Sequence, residues 1–200
     1  MYNRYHNQGF DILSVAVDVQ GAEAARPYAE GKPFTTVVDS ENLLASRFGF
    51  TVVPNGILLD EEGKIRFLKQ RLWAPDPEHV RAVEHLLEGK EPIQLEETNP
   101  LPPNARSLEK QLAETKYKLS LEYLKQNKKE EALRELDEAL AFDPDNFVIR
   151  KQRWYIRYPE KFIPTIDFDW QQQILAQEKE EEAARREAEC GPEGCAIPRT

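Results

Sequence analysis

The chain has 200 residues, with 36 acidic against 27 basic side chains and a net charge of -9. The acidic excess argues against a nucleic-acid partner, because neutralising phosphates requires a basic surface. No run of about 18 apolar residues is present and the first residues form no apolar leader, so we expect a soluble, cytoplasmic protein without a membrane partner.

Residues 1–90 alternate strand-like and helix-like patterns, which is typical of an α/β fold. The apolar, β-branched run from Phe10 to Asp18 predicts a buried strand at its start. The other predicted elements are a helix over Ala22–Glu30, a strand over Thr35–Val38, a helix over Ser40–Phe48, a hairpin of Gly56–Asp60 with Ile65–Gln70, and a helix over Asp76–Glu88.

Residues 91–107 carry four prolines and are predicted to be a linker, because proline removes a backbone donor and favours extended chain. Residues 108–158 are predicted to be helical. Within them, Ala113–Asn146 resembles one tetratricopeptide repeat, a helical hairpin of 34 residues. The positions that carry this resemblance are Leu119, Tyr123, Ala132, Leu136, Ala139 and Pro144.

Two roles for this hairpin remain open. It either packs on the α/β domain as a structural element or presents a groove to a peptide partner. Asp145 is expected to cap a third helix after Pro144. Residues 159–189 are a connection and a highly charged helix, with the acidic residues around Asp167 as its N-cap, and residues 190–200 form a cysteine-containing tail.

The first ninety residues resemble the later part of a thioredoxin-fold protein of the TlpA/ResA or redoxin (AhpC/TSA) type. The stretches that carry this resemblance are YNRYHNQGFDILSVAVD and FTTVVDSENLLASRFGFTVVPNGILLDEEGKI. In that family the second stretch contains a cis-proline, and the residue before the proline offers its backbone to the thiol substrate. The resemblance therefore implies that Val53 and Pro54 bind substrate and that the Val53–Pro54 bond is cis.

The chain departs from the family at its active site. The family's central strand and its Trp-x-x-Cys-x-x-Cys helix start would precede Met1, and no cysteine precedes Cys190. The absent strand would lie between FDILSVAV and GILLD, so its loss is expected to leave unpaired edges and an exposed core face. We expect an N-terminally truncated product of a longer gene; the other interpretation is a degenerate fold completed by another element.

The two cysteines, Cys190 and Cys195, lie in the sequence ECGPEGC, whose Gly and Pro residues favour a turn that brings the thiols together. One interpretation is a redox pair that relays electrons or forms its own disulfide. The second is a soft-metal clip, although two thiolates alone leave zinc under-coordinated. The third is an inert tail. The negative charges of Glu189 and Glu193 disfavour ionisation of the adjacent thiols.

No motif in the sequence predicts a cofactor or a resident metal. The histidines have no metal-ligand spacing, and His79 and His85 fall on different faces of one predicted helix, so both are expected at the surface. No phosphate-binding glycine loop, Ser-His-Asp arrangement or paired-carboxylate motif is present.

The sequence thus predicts an incomplete thioredoxin-like α/β domain, followed by an all-α tetratricopeptide-like segment. The predicted function is thiol–disulfide exchange with a thiol or disulfide protein or a small oxidised substrate, in which the main nucleophile is absent and Cys190 and Cys195 act as a relay. The alternatives are a non-catalytic interaction module that uses the helical hairpin and soft-metal binding by the tail.

Overall fold

The computed structural model describes residues 1–90, 93, 107–191 and 194–195. The fold is mixed α/β with a helical C-terminal part. The chain packs as two compact units, Met1–Ile156 and Arg157–Thr200. Most of the predicted linker over residues 91–107 lies outside the described residues, as do residues 192, 193 and 196–200 of the predicted tail.

The α/β part contains two short sheets. Strands β1 (Leu13–Ala16) and β2 (Thr35–Val38) pair in parallel, whereas β3 (Asn55–Leu59) and β4 (Ile65–Gln70) form an antiparallel hairpin. The predicted hairpin and the predicted second strand are therefore confirmed, and the first strand is shorter than the apolar run that predicted it.

The two sheets do not join among the described residues: β1 pairs with β2 alone, and β3 pairs with β4 alone. No residue of the four strands is fully buried. Leu13 in β1 is 64% exposed and Leu59 in β3 is 52% exposed, unusually high values for strand leucines. Within the described chain, β1 and β3 therefore each have one unpaired edge, and some of their apolar side chains are exposed to solvent.

Four helices flank these sheets: α1 (Tyr2–Tyr5), α2 (Ala22–Ala29), α3 (Leu43–Phe48) and α4 (Pro77–Leu87). The Asp76 side chain caps α4 by accepting a 2.8 Å hydrogen bond from the Glu78 N–H, as Asp before a first-turn Pro suggests. The buried Tyr5 donates a hydrogen bond from its hydroxyl to Glu84, which ties the first helix to α4.

The surface prediction for His79 is wrong. His79 is 6% exposed, and its Nδ1 lies 3.0 Å from the main-chain nitrogen and 2.9 Å from the main-chain oxygen of Trp73. The main chain of Trp73, in the turn before α4, contacts the imidazole ring of His79. The helical periodicity of the sequence does not indicate this contact.

Three helices form the rest of the first unit: α5 (Leu108–Lys125), α6 (Lys129–Phe142) and α7 (Phe147–Arg157). Ala132, Leu136 and Ala139 on α6 are each 0% exposed, so small side chains alternate with a leucine where α6 meets α5. The largest buried cluster of the described chain comprises Ala113, Tyr117, Leu121, Leu136, Ala139, Leu140 and Ile149. Val19, from the loop after β1, packs against this cluster, so the helical hairpin completes a core shared with the α/β part.

Two details of the hairpin differ from the prediction. Asn146 rather than Asp145 caps α7, because its Oδ1 accepts a 3.2 Å hydrogen bond from the Ile149 N–H. Leu119, a position of the repeat resemblance, is 41% exposed and lies outside the core.

The second unit contains α8 (Phe168–Glu189) and a pair of two-residue strands, β5 (Cys190–Gly191) and β6 (Gly194–Cys195). Asp167 caps α8 through its Oδ1, which accepts from the Trp170 N–H at 3.0 Å, as predicted. The Trp170 ring meets Tyr158 and Phe162 edge-on, at centroid distances of 5.2 and 6.3 Å. In the parts of the chain that the structure describes, no helix has the length and apolarity needed to cross a membrane.

Candidate functional site

The loop between α3 and β3 carries both predicted substrate-binding residues. The helix α3 ends at Gly49, whose φ of 74° is a conformation that glycine adopts at little cost. Beyond it the carbonyl oxygen of Thr51 accepts hydrogen bonds from the N–H groups of Phe147 (2.7 Å) and Val148 (3.2 Å). The loop is therefore held on the N-terminus of α7.

Val53 and Pro54 follow directly. The peptide bond between them is cis, as the family resemblance implies. Val53 is half-buried and Pro54 is exposed. Asn55 braces the loop from the other side, because its Nδ2 donates to the Val52 carbonyl at 2.5 Å while its Oδ1 accepts from the Arg71 N–H at 3.4 Å.

A small cavity of about 40 Å³ adjoins Val53. Four segments supply its walls: the loop after β1, the loop before β3, helix α5 and helix α7. Its polar lining comprises Asp18, Gln20, Tyr117, Lys151, Gln152 and Tyr155. The carboxyl end of β1 and the loop that leads into β3 therefore meet at one polar cavity.

Three buried polar atoms of residues in this lining have no hydrogen-bond partner among the residues that the structure describes: the Gln20 Oε1, the Tyr117 hydroxyl and the Gln152 Nε2. Tyr117 is 5% exposed and Gln152 is 6% exposed. Each of these three atoms exposes less than 1 Å² to solvent, so the polar surface of the cavity comes from other atoms of its lining.

The lining of the cavity includes one basic and one acidic side chain, Lys151 and Asp18. Burial lowers the pKa of the Lys151 ammonium below its usual value, and the Asp18 carboxylate opposes that shift. The pKa of Tyr117 is raised by burial and further by negative charge, from Asp39. Burial is also the main cause of the raised pKa of Tyr155, to which Asp18 and Tyr28 add. Both tyrosines therefore stay neutral donors at physiological pH.

A larger cleft of about 360 Å³ lies on the other side of Tyr117, between α3 and α5. The hydroxyl of Ser46 donates to Glu114 across it. Asn42, 7% exposed, lines the cleft, and its Oδ1 has no hydrogen-bond partner within the described part of the chain. Tyr117 forms a wall of both the cleft and the small cavity.

The predicted redox residues lie in the second unit. Cys190 in β5 stands directly opposite Cys195 in β6 in the antiparallel register. The predicted substrate-binding residues, Val53 and Pro54, are consecutive in the first unit, whereas the predicted redox residues, Cys190 and Cys195, face each other in the second. Among the described residues, no group of three or more His, Cys, Asp or Glu side chains is arranged to hold a metal ion.

Sequence reasoning missed the cavity residues Tyr117, Lys151 and Gln152. One signal for them was present: α7 reads FVIRKQRWYIR, with four consecutive polar residues inside an otherwise apolar helix. Four consecutive residues cover every face of a helix, so some of these polar side chains had to face the interior. Arg150 and Gln152 are indeed buried.

Comparison of the chain with protein-family models, with curated proteins and with solved structures finds no match.

Proposed function

We propose that this protein takes part in thiol–disulfide exchange, as a thioredoxin-like protein whose redox pair is Cys190 and Cys195 and whose Val53–Pro54 loop binds the substrate. The observation that carries the proposal is the register of β5 and β6, in which the two cysteines are directly opposed. Opposed residues of an antiparallel pair have Cα atoms about 4.5–5.5 Å apart, within the range of about 4.4–6.8 Å that a disulfide needs.

The chemistry balances as a two-electron exchange. One cysteine thiolate attacks a substrate disulfide, forms a mixed disulfide and releases the first substrate thiolate. The second cysteine then attacks the mixed disulfide, which releases the second substrate thiolate and closes the Cys190–Cys195 bond. Two protons accompany the two electrons, and an external dithiol restores the reduced pair by the reverse steps.

The arrangement of the first unit supports the substrate-binding half of the proposal. The order of a parallel strand pair, helix α3, the Val53–Pro54 loop, an antiparallel hairpin and helix α4 agrees with the order that the family resemblance implies. The loop is braced on both sides, by α7 at Thr51 and by Asn55 at Val52, which favours a fixed binding edge.

A redox titration of the full chain tests the proposal. The chain is equilibrated in glutathione buffers, alkylated and weighed by mass spectrometry, which counts free thiols. We expect a two-electron midpoint within the cytosolic range of about -220 to -320 mV. In the variants Cys190→Ser and Cys195→Ser the internal disulfide must vanish. A chain that stays fully reduced, or fully oxidised, across these buffers contradicts the proposal.

The role of the loop has its own readout. The reduction of insulin disulfides by dithiothreitol is followed with wild-type chain and with Pro54→Ala. We expect the variant to accelerate the reaction less while its redox midpoint stays unchanged, because the loop acts on substrate and not on the cysteines. If both chains accelerate insulin reduction equally, Val53 and Pro54 do not bind the substrate.

A further inference from the structure

The carboxylate of Asp143 is buried without a cationic partner in the described chain. Asp143 follows the last residue of α6 and is 8% exposed. Its Oδ2 accepts a 3.0 Å hydrogen bond from the Asn146 Nδ2, and no described lysine, arginine or histidine forms an ion pair with it. Buried aspartates in folded proteins are nearly always paired with a cation, so Asp143 has an unmet requirement for positive charge within this part of the chain.

The second carboxylate oxygen of Asp143 is open to a ligand. The Oδ1 accepts no hydrogen bond from a described residue, yet it is not one of the enclosed side-chain atoms that lack a partner. A water-sized molecule therefore reaches it. Asp143 also lines the cleft of about 360 Å³ beside Tyr117, so its negative charge is within reach of a molecule in that cleft.

The other charged side chains of the cleft do not neutralise Asp143. Glu114 and Lys118 pair with each other at 2.8 Å. Glu41 and Lys110 are exposed, and water solvates their charges. The one buried charge of the cleft that has no counter-charge among the described residues is thus negative, and a cation would compensate it.

The lining of the cleft favours an organic cation over a metal ion. Among the described residues, no group of three or more His, Cys, Asp or Glu side chains is arranged to hold a metal. Apolar walls come from Ala45, Phe50 and Ile149, all of which are buried. The volume of about 360 Å³ lies within the range of about 300–1,000 Å³ that is usual for small-molecule sites. An ammonium group on a hydrocarbon chain matches both the charge and the apolar walls.

We propose that this cleft binds an organic ammonium ion, whose nitrogen donates to the carboxylate of Asp143 and whose carbon chain packs on Ala45, Phe50 and Ile149. The inference uses neither the cysteine pair nor the Val53–Pro54 loop. The redox titration above and the binding experiment below therefore succeed or fail separately.

The test follows the ¹H–¹⁵N NMR signals of the full chain during titration with n-butylammonium chloride, at neutral pH and about 0.15 M salt. We expect saturable shifts at the side-chain amides of Asn42, Gln70 and Asn146, which line the cleft. 1-Butanol has the same carbon chain and no charge. It must bind at least about tenfold more weakly, because it cannot compensate the carboxylate of Asp143.

Asp143→Asn and Glu130→Gln form a matched pair of variants. Each removes one negative charge and keeps the shape of the side chain, but Glu130 is exposed in the first turn of α6 and does not line the cleft. We expect Asp143→Asn to weaken butylammonium about tenfold or more, the effect of one charge-assisted hydrogen bond. Glu130→Gln should leave the affinity unchanged.

Three results overturn the proposal. The first is the absence of saturable shifts at the three side-chain amides, and the second is equal loss of affinity in Asp143→Asn and Glu130→Gln, which would assign the binding to net charge alone. The third is equal binding of butylammonium and 1-butanol, which would make the cleft a site for neutral apolar molecules. This last comparison uses the wild-type chain, so it decides the matter even if Asp143→Asn does not fold by circular dichroism.

Discussion

The carbonyl oxygen of Thr51 accepts a 2.7 Å hydrogen bond from the N–H of Phe147, which is the first residue of α7. The N–H groups of the first helical turn have no partner within their own helix. In this protein the loop that leads to Val53 and Pro54 satisfies two of them, because Val148 also donates to Thr51. Helix α7, which follows the helical hairpin, is thus bonded to the backbone of the candidate binding loop.

The first prediction concerns the cap that keeps this helix end in place. Asn146 accepts from the Ile149 N–H and its Nδ2 donates to Asp143 at 3.0 Å. We expect Asn146→Ala to lower the free energy of unfolding by about 1 kcal/mol in urea denaturation, and Asn146→Gly to lower it by only a few tenths. A loss of less than about 0.5 kcal/mol in Asn146→Ala would mean that the side-chain cap contributes little.

The second prediction tests the packing of α5 on α6. Leu136 is 0% exposed, so Leu136→Ala should cost about 2–5 kcal/mol, the sum of lost burial and a cavity. Leu119 is 41% exposed, and Leu119→Ala should change the free energy of unfolding by no more than about 0.5 kcal/mol. Thermal and urea unfolding of both variants measure the contrast. If both variants lost a similar amount of unfolding free energy, Leu119 would have to be buried in the core with Leu136, which would contradict its exposed position.

Local patterns predicted much of this fold. The strand over Thr35–Val38 was predicted with its observed bounds, and Ala132, Leu136 and Ala139, three positions of the repeat resemblance, lie in the hairpin core. These features depend on side-chain periods of two and of 3.6 residues, which a sequence displays directly.

Features set by distant segments were not predicted. The burial of His79 depends on Trp73 folding back, and the cavity needs residues from four segments that periodicity treats separately. The unpaired edges that β1 and β3 have in the described chain were predicted, because the family resemblance places a further strand between them. The polar lining beside them had no counterpart in that comparison, since Tyr117 comes from α5 and Lys151 and Gln152 come from α7.

The third prediction concerns the strand that follows the candidate loop. A methyl group added at Gly56 in β3 would lie 2.6 Å from the Leu72 Cδ1, so Gly56→Ala forces that side chain to move. Because the contact is with the end of a flexible, half-buried side chain that can turn away, we expect a loss of no more than about 1 kcal/mol in the free energy of unfolding. In Gly56→Ala combined with Leu72→Ala the clash is absent, and a double-mutant cycle should give a favourable coupling of about 0.5 kcal/mol or more. Additive losses would show that the two residues do not meet.

The fourth prediction is a pH dependence that originates at Lys151. Burial lowers its pKa in the folded protein, whereas the unfolded chain keeps the ordinary lysine value of about 10.4. Between these two values the unfolded state binds more protons, so the contribution of Lys151 to stability rises with pH. The titratable groups around it are Asp18, Tyr117 and Tyr155, and the pKa values of both tyrosines are raised, so neither loses its proton below pH 10.

The comparison is with Lys151→Met, which has no ammonium to desolvate. In urea denaturation at constant ionic strength we expect the variant to be more stable than the wild type at neutral pH, and we expect this advantage to shrink as the pH rises toward the unfolded lysine value of about 10.4. Lys129→Met is the control: Lys129 is exposed at the start of α6, and its variant should track the wild type in parallel. If the difference in free energy of unfolding between the wild type and Lys151→Met stays constant or widens with pH, the prediction is wrong. The ammonium of Lys151 would then be well solvated, and the cavity would contain no buried cation.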